Sequence, residues 1–212
     1  MKNNIIILLL SILGSISGFS QEQTLLTIEF TDIEEALVNP DQVIRLDLSN
    51  QRIDFSASLF KKFKNLEYLS LRGDHLNEIP LEITELKNLK VLDLSGNDFV
   101  TLPESFFKLR NLEELYLNEE VNMDLSQTIE TLVRLPKLKS LHLENDQLRE
   151  LPNSITKITT LESLYLNGND LEWVPEPIER MKRLNYAELH PNKFKPTIQE
   201  EYDPKGNMSI KF

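Results

Sequence analysis

The sequence contains no cysteine, only 6 glycines and 3 histidines, and its 23 basic residues are outnumbered by 34 acidic ones. The absence of cysteine excludes disulfides, thiolate zinc sites and thiol catalysis. A net charge of -11 argues against binding to a phosphate backbone, which requires a basic surface, so we expect no nucleic acid partner. The 212 residues, of which 40% are hydrophobic and 27% charged, have the composition of a folded chain.

Motifs that carry chemistry are also missing from the sequence. There is no HExxH, GxSxG, GxGxxG or GxxxxGK(S/T) pattern, and none of the histidines has the spacing of a metal ligand. We therefore expect a protein that is not an enzyme, with no catalytic residues, no metal site and no cofactor.

The first twenty residues differ in kind from the rest of the chain. They combine Lys2, an apolar stretch that begins at Ile5, a segment of small residues after it, and no acid. This pattern predicts a secretory signal peptide over 1–20, cleaved after Ser20, and the alternative is an uncleaved anchor. Cleavage would leave 22 basic and 34 acidic residues, a net charge of -12. We expect an exported protein, periplasmic, on the cell surface or secreted, without a membrane span after cleavage.

From residue 43 onward the sequence repeats. Seven segments of the form LxxLxLxx start at intervals of 23, 23, 23, 26, 23 and 23 residues. Their first residues are Val43, Leu66, Leu89, Leu112, Leu138, Leu161 and Leu184. Rarer residues keep the same register, with glycine at the eighth position of three repeats and proline at the fifteenth position of four. Such a period predicts a solenoid, in which each repeat forms one coil that buries its apolar side against its neighbours.

The full unit, LxxLxLxxNxLxxLPxxIxxLxxL, resembles the leucine-rich repeat family in its 23-residue form. Alternation in the xLxL part predicts a short strand, and the IxxLxxL spacing predicts a helical segment. The resemblance implies an α/β solenoid: a right-handed superhelix that forms an arc, with a parallel β-sheet on the concave face and short helical or 3₁₀ segments on the convex face. Extracellular animal and plant members commonly have disulfide caps, so the lack of cysteine indicates an exported bacterial envelope type.

The regions of the chain follow from this repeat. We expect a signal peptide over 1–20, an N-terminal helical cap over 21–42, seven repeats over 43–194, and a C-terminal cap or tail over 195–212. In the first cap, Thr31 is the predicted N-cap of a helix that covers the first coil with Ile33, Ala36 and Leu37. The apolar residues available to close the last coil are Phe194, Ile198, Tyr202, Ile210 and Phe212.

The ninth position is asparagine in the family, where its amide links neighbouring coils. Only three of the seven repeats have asparagine there. An aspartate can accept hydrogen bonds from backbone N–H groups but cannot donate, and we expect Glu120 to fit the position poorly. Glu120 lies in the fourth repeat, which is three residues longer than the others. We interpret its extra stretch as a loop that bulges from the stack, with a binding protrusion as the alternative.

The second position alternates in charge along five repeats, which favours in-register stacking of the strands through cross-strand pairs. These residues are Glu67, Lys90, Glu113, Lys139 and Glu162. We interpret this ladder as structural.

The fifth position is the strongest candidate for a binding surface. Repeats four to six place Tyr116, His142 and Tyr165 there, and Tyr186 lies diagonally beside them in repeat seven. The neighbours predicted to share the surface are Glu114, Asn118, Glu144 and Asn167. Tyrosines flanked by asparagine and glutamate combine rigid contact area with hydrogen-bonding groups, as protein-binding surfaces do. The alternative is that tyrosines in a parallel ladder merely stack on one another.

The predicted function is non-catalytic recognition of a protein or peptide on the concave face. The acidic surface favours a basic or polar partner. Two alternatives stay open: binding of a glycan or the cell wall through the tyrosines, and a structural or adhesive surface protein.

Overall fold

A computed structural model describes residues 28–52, 59–195 and 208–212. The predicted signal peptide, residues 1–20, lies outside the described residues, as do two of the predicted closing residues, Ile198 and Tyr202. In the described part of the chain, no helix has both the length and the apolar character needed to cross a membrane.

One parallel β-sheet of nine strands holds the structure together, with the strands side by side in chain order. The seven repeats supply β2 Arg45–Asp47, β3 Tyr68–Ser70, β4 Val91–Asp93, β5 Glu114–Tyr116, β6 Ser140–His142, β7 Ser163–Tyr165 and β8 Tyr186–Glu188. Each strand pairs with the next without a register shift, so that Leu115 lies beside Leu141 and Leu141 beside Leu164. The predicted α/β solenoid, one strand per repeat, is confirmed.

The sheet is longer than the repeats predict. β1, Glu29–Phe30, pairs with β2, and β9, Ser209–Lys211, pairs with β8. Both strands add a row of backbone hydrogen bonds beyond the first and last repeats, and neither was predicted from the sequence.

Successive side chains of each strand point to opposite sides of the sheet, one towards the core and the other towards the surface. In β3, Leu69 is fully buried, whereas the neighbouring Tyr68 lies half-buried on the other side. The buried side chains form one continuous apolar cluster that runs from Ala36 to Leu189.

We call a repeat and its return segment a coil, and number the coils one to seven. We call the solvent-facing side of the sheet the sheet face.

Short helices lie on the return side of the coils. The 3₁₀ helices span Pro40–Gln42, Phe60–Lys62, Leu81–Glu85, Glu104–Lys108 and Asn153–Lys157, and an α-helix, Glu176–Arg180, takes this place in coil six. The proline at position fifteen directly precedes four of these helices, at Pro80, Pro103, Pro152 and Pro175. Proline fixes φ and lacks an N–H, so it is well tolerated at the start of a helix, where the backbone N–H has no partner within the helix.

The longer fourth repeat forms a helix and not the bulging loop that we expected. An α-helix over Leu125–Leu132 replaces the usual 3₁₀ helix, and its N-cap Asp124 accepts a hydrogen bond from the Gln127 N–H at 2.9 Å. Its residues Ile129 and Leu132 are fully buried. The three extra residues therefore provide the length of an α-helix that packs into the core.

The N-terminal cap is a helix over Ile33–Val38 whose N-cap is Asp32 and not the predicted Thr31. The Asp32 carboxylate accepts hydrogen bonds from the N–H groups of Glu34 and Glu35. The predicted covering residues do meet the core: Ala36 is buried, and Ile33 and Leu37 pack against the cluster.

At the C-terminal end, three of the predicted closing residues pack against the core. They are Phe194, Ile210 and Phe212, and the rings of the two phenylalanines meet edge to face at 5.7 Å.

Candidate functional site

A row of four aromatic side chains lies on the sheet face across β5 to β8. The ring centroids of Tyr116 and His142 are 3.8 Å apart with an interplanar angle of 15°, and those of His142 and Tyr165 are 4.1 Å apart at 3°. Tyr186 follows at 5.5 Å from Tyr165, tilted by 52°. Residues at one position of neighbouring parallel strands lie about 4.8 Å apart, close to the stacking distance of rings, so the register itself stacks Tyr116, His142 and Tyr165.

Glu114 holds one end of the row. Its Oε1 accepts a hydrogen bond from the Tyr116 hydroxyl at 2.7 Å and lies 3.0 Å from His142 Nε2. The hydrogen bond from His142 lowers the pKa of Glu114, with a further contribution from Tyr116, so Glu114 stays ionised. Burial and the hydrogen bond to Glu114 raise the pKa of Tyr116, which keeps its proton and its role as donor.

His142 lies at the centre of the row and is only 7% exposed. Its second ring nitrogen, Nδ1, is 3.4 Å from Glu144 Oε2. A neutral imidazole has one N–H, so His142 can donate to both carboxylates only when it is protonated. The side chain is therefore placed to orient the two tyrosines and two glutamates around it, and not to offer a large contact area of its own.

Asn118 fixes the orientation of Glu144. The Asn118 amide donates to Glu144 Oε2 at 2.8 Å, and its carbonyl oxygen accepts from the Glu144 backbone N–H at 2.9 Å. Since Glu144 also faces His142, these contacts connect the turn after β5 with the centre of the aromatic row.

Glu188 and Lys211 complete the other end of the row, and the sequence analysis did not include either of them. The Tyr186 hydroxyl donates to Glu188 Oε2 at 2.7 Å, which raises the pKa of Tyr186 to about 12. The ammonium group of Lys211, from β9, lies 2.7 Å from Glu188 Oε1, and this bond is the main cause that lowers the pKa of Glu188. The alternation in Met208 to Phe212 was the signal that could have predicted β9 and placed Lys211 here.

The eight predicted site residues thus form one connected set. Asn167, in the turn after β7, joins it through a side-chain hydrogen bond to Glu188. The Asn167 carbonyl oxygen is buried and has no hydrogen-bond partner among the described residues.

The predicted charge ladder is present in two of its pairs. Lys90 lies 2.9 Å from Glu67, and Lys139 lies 2.8 Å from Glu113. The bond from Lys139 lowers the pKa of Glu113. These side chains are exposed, so water and salt screen each pair and it contributes little to stability.

Within the described ranges, no group of three or more histidine, aspartate and glutamate side chains is arranged to hold a metal ion. The chemistry that the aromatic row itself offers is contact and hydrogen bonding, from ring edges, hydroxyls and carboxylates.

Comparison with known proteins identifies the repeat. A family model described as leucine-rich repeat region matches residues 42–135. No curated protein matches the chain in sequence.

Among solved structures, the chain is similar to the Toll–Spatzle complex of Drosophila, with a TM-score of 0.66 and 17% identity over 87% of this chain and 25% of that chain. It is also similar to the plant peptide hormone receptor RGFR1 in complex with RGF2, with a TM-score of 0.48 and 24% identity over 78% of this chain and 26% of that chain. The chain thus spans about a quarter of each of these structures, and at 17% identity the likeness to the Toll structure shows the fold alone.

Proposed function

Because residues 42–135 match the leucine-rich repeat region and the same coil continues to β8, we propose that the chain is a non-catalytic interaction module that binds a protein or peptide on its sheet face. The observation that carries the proposal is the aromatic row of Tyr116, His142, Tyr165 and Tyr186, bordered by carboxylates that hold its rings.

The aromatic row is well suited to binding because its side chains are already ordered. Tyr165 has the His142 ring on one side and Tyr186 on the other, and the hydroxyls of Tyr116 and Tyr186 are bound to glutamates. Immobilising a free side chain on binding costs about 0.5–1.5 kcal/mol. The side chains of the aromatic row are already ordered in the folded chain, so binding does not have to immobilise them.

The charges around the aromatic row favour a basic or polar partner. Glu114, Glu144 and Glu188 border the rings, and among the described residues their ion pairs are with His142 and Lys211. A basic partner would be attracted to this surface, with association that weakens as salt is added.

The ring geometry favours a protein over a glycan. A sugar stacks on an open ring face, but the faces in the aromatic row are turned towards one another, at 3.8 and 4.1 Å between centroids. Beside its stacked rings the row carries tyrosine hydroxyls and carboxylates, which suit a peptide surface. The similar Toll structure is that of a complex with Spatzle, a precedent for a partner held by this fold.

We also propose that the chain is exported, with residues 1–20 as its signal peptide. The N-terminal cap would then span 21–42, the repeats 43–194 and the C-terminal cap 195–212. The support is the sequence pattern around Lys2 and Ile5 and the absence of cysteine. A bacterial envelope location, periplasmic, surface-bound or secreted, agrees with caps that use no disulfide.

The first experiment identifies a partner and then tests the aromatic row. The mature chain from Gln21 captures ligands from the envelope fraction of its source, and the captured molecule is purified and titrated calorimetrically. We expect Tyr165→Ala to weaken binding by about 30-fold or more, the size of a hot-spot loss. The matched control is Tyr68→Ala, a sheet-face tyrosine in β3 that lies under Arg45, outside the aromatic row. It should change the affinity by about 3-fold or less.

The same titration separates the partner classes. A basic protein should bind more weakly to Glu144→Gln and at higher salt. A glycan should be indifferent to salt, which would favour the alternative function. If Tyr165→Ala and Tyr68→Ala both bind as the wild type does, and circular dichroism shows both to be folded, the aromatic row is not the binding surface.

A further inference from the structure

Acidic side chains occupy the inter-coil position of three coils, where the repeat otherwise carries asparagine. They are Asp74, Glu120 and Asp146. All three are buried, with Glu120 only 3% and Asp146 only 5% exposed. A buried carboxyl group is costly unless its surroundings match its protonation state.

The coils that carry asparagine show what this position requires. Asn169 Oδ1 accepts hydrogen bonds from the backbone N–H groups of Asp146 and Leu148, both at 3.0 Å. Its Nδ2 donates to the backbone carbonyls of Leu143 at 2.7 Å and Leu166 at 2.9 Å. The position thus needs an acceptor on one side and donors on the other, and Asn97 meets the same requirement in coil three.

Asp146 meets only the first half of this requirement. Its Oδ1 accepts from the Glu120 N–H at 2.8 Å, but its Oδ2 is buried and has no hydrogen-bond partner in the part of the chain that the structure describes. By the equivalence of the coils, Oδ2 takes the place of an amide group that would donate to the carbonyls of Leu117 and Leu143. A carboxylate has no proton to donate, whereas a protonated carboxyl has one.

Glu120 continues the same chain of contacts into the preceding coil, because its Oε1 accepts from the Asn97 N–H at 2.7 Å. Our expectation that Glu120 would fit poorly is therefore wrong: its longer side chain reaches the inter-coil N–H. The charge of Asp146 also acts on Glu120 and contributes to the raised pKa of Glu120.

The surrounding charged groups do not neutralise the pair. The acids that act on it are Asp98 from coil three, Glu119 from coil four and Glu144 from coil five. Each of these has its own partner: His75 for Asp98, Arg72 for Glu119 and His142 for Glu144.

We propose that Glu120 and Asp146 form a proton-dependent junction between coils three, four and five, closed when the carboxyl groups are protonated and loosened when they ionise. On ionisation the protons pass to solvent, and Asp146 is left with a negative, buried Oδ2 in the place of a hydrogen-bond donor. The junction then weakens where coil four meets coil five.

The direction of the pH effect follows from the pKa values. Burial is the largest cause and raises the pKa of Glu120 to about 8 and that of Asp146 to about 7. The folded state therefore binds these protons more tightly than the unfolded state. The stability that they contribute is fully present below about pH 4, the range of unfolded carboxyl groups, and is lost as pH rises through about 7 to 8.

The test compares thermal unfolding of the full mature chain and of Asp146→Asn from pH 5.5 to 8.5. Asparagine supplies the missing donor without a titrating proton, so we expect a flatter pH dependence and a midpoint at pH 8.5 raised by about 4 °C or more above the wild type. Glu150→Gln, which removes an exposed acid, is the matched control and should run parallel to the wild type.

Hydrogen exchange gives a second readout of the same junction. In the wild type, the amides of Asn97 and Glu120 should gain exchange above pH 7 beyond the ordinary base-catalysed increase. The amide of Leu148, which is bound to Asn169, should follow the ordinary increase. If Asp146→Asn does not fold, Glu120→Gln takes its place in both experiments. Two results would overturn the proposal. One is parallel pH curves for wild type and variant, and the other is the same pH dependence of exchange for the amides of Asn97 and Glu120 as for that of Leu148.

Discussion

At the scale of single residues, the eighth position of the repeat shows how backbone conformation restricts the sequence. Gly73, Gly96 and Gly168 have φ of 69°, 66° and 68° there. Asn50, Glu119 and Asn145 adopt the same left-handed conformation in other coils. Glycine adopts it without a steric penalty, which is the physical reason for the glycine register in the sequence.

We expect Gly168→Ala to lower the free energy of unfolding by about 1–2 kcal/mol, because a residue with a Cβ is strained in this conformation. The new Cβ would also lie 2.0 Å from Asn145 Oδ1, so the Asn145 side chain has to move. Gly96→Ala is the matched control, since its Cβ would come no closer than 3.7 Å to the Glu119 carboxylate. Urea unfolding of both variants measures the difference, and equal losses would show that Asn145 moves at no cost.

At the scale of elements, the helix of coil four shows what a change in repeat length can build. This repeat is three residues longer than the others, which is why we expected a loop there. The stretch forms a helix because its residues Leu125, Ile129 and Leu132 are buried in the coil. A short amphipathic stretch is marginal as an isolated helix, so its apolar contacts determine whether it forms.

Asp124→Ala should destabilise the protein by about 1 kcal/mol, because it removes the side-chain acceptor of the helix N-terminus. Chemical denaturation monitored by circular dichroism checks this value. Ser126→Ala, in the exposed part of the same helix, should shift the stability by less than about 0.5 kcal/mol. A loss as large in Ser126→Ala would contradict the capping role of Asp124.

At the scale of the whole molecule, stability is distributed along a continuous core and not concentrated in one centre. Each coil buries its leucines against the coils on both sides, and the two capping elements cover the ends. A solenoid of this kind depends on nearest-neighbour interfaces, so damage to a middle coil affects both neighbours.

Leu141→Ala, in β6 at the middle of the stack, should cost about 2–5 kcal/mol because it leaves a cavity in a fully buried site. Hydrogen exchange should rise most in coils four to six and less in coil one. Ser140→Ala, on the sheet face of the same strand, provides the control and should leave exchange unchanged. Loss of protection confined to coil five would argue against coupling between neighbouring coils.

The aromatic row was predictable in its members but not in its geometry. The repeat spacing alone placed Tyr116, His142 and Tyr165 at equivalent positions, because in-register parallel strands bring one position of every coil together. The burial of His142 between two rings and two carboxylates depends on side-chain conformations, which no periodic pattern encodes.

The sequence by itself determined the solenoid, its register, its apolar core and the column of rings on one face, since each of these depends on a fixed spacing repeated along the chain. Only the tertiary structure decided the features that depend on non-repeating contacts. These are the added edge strands β1 and β9, the helix of coil four, the Asp32 cap, the approach of Lys211 to Glu188, and the burial of Glu120 and Asp146 between coils. The repeated features follow from the spacing of residues along the chain. The other features arise from contacts between side chains whose positions are known only after the coils have stacked.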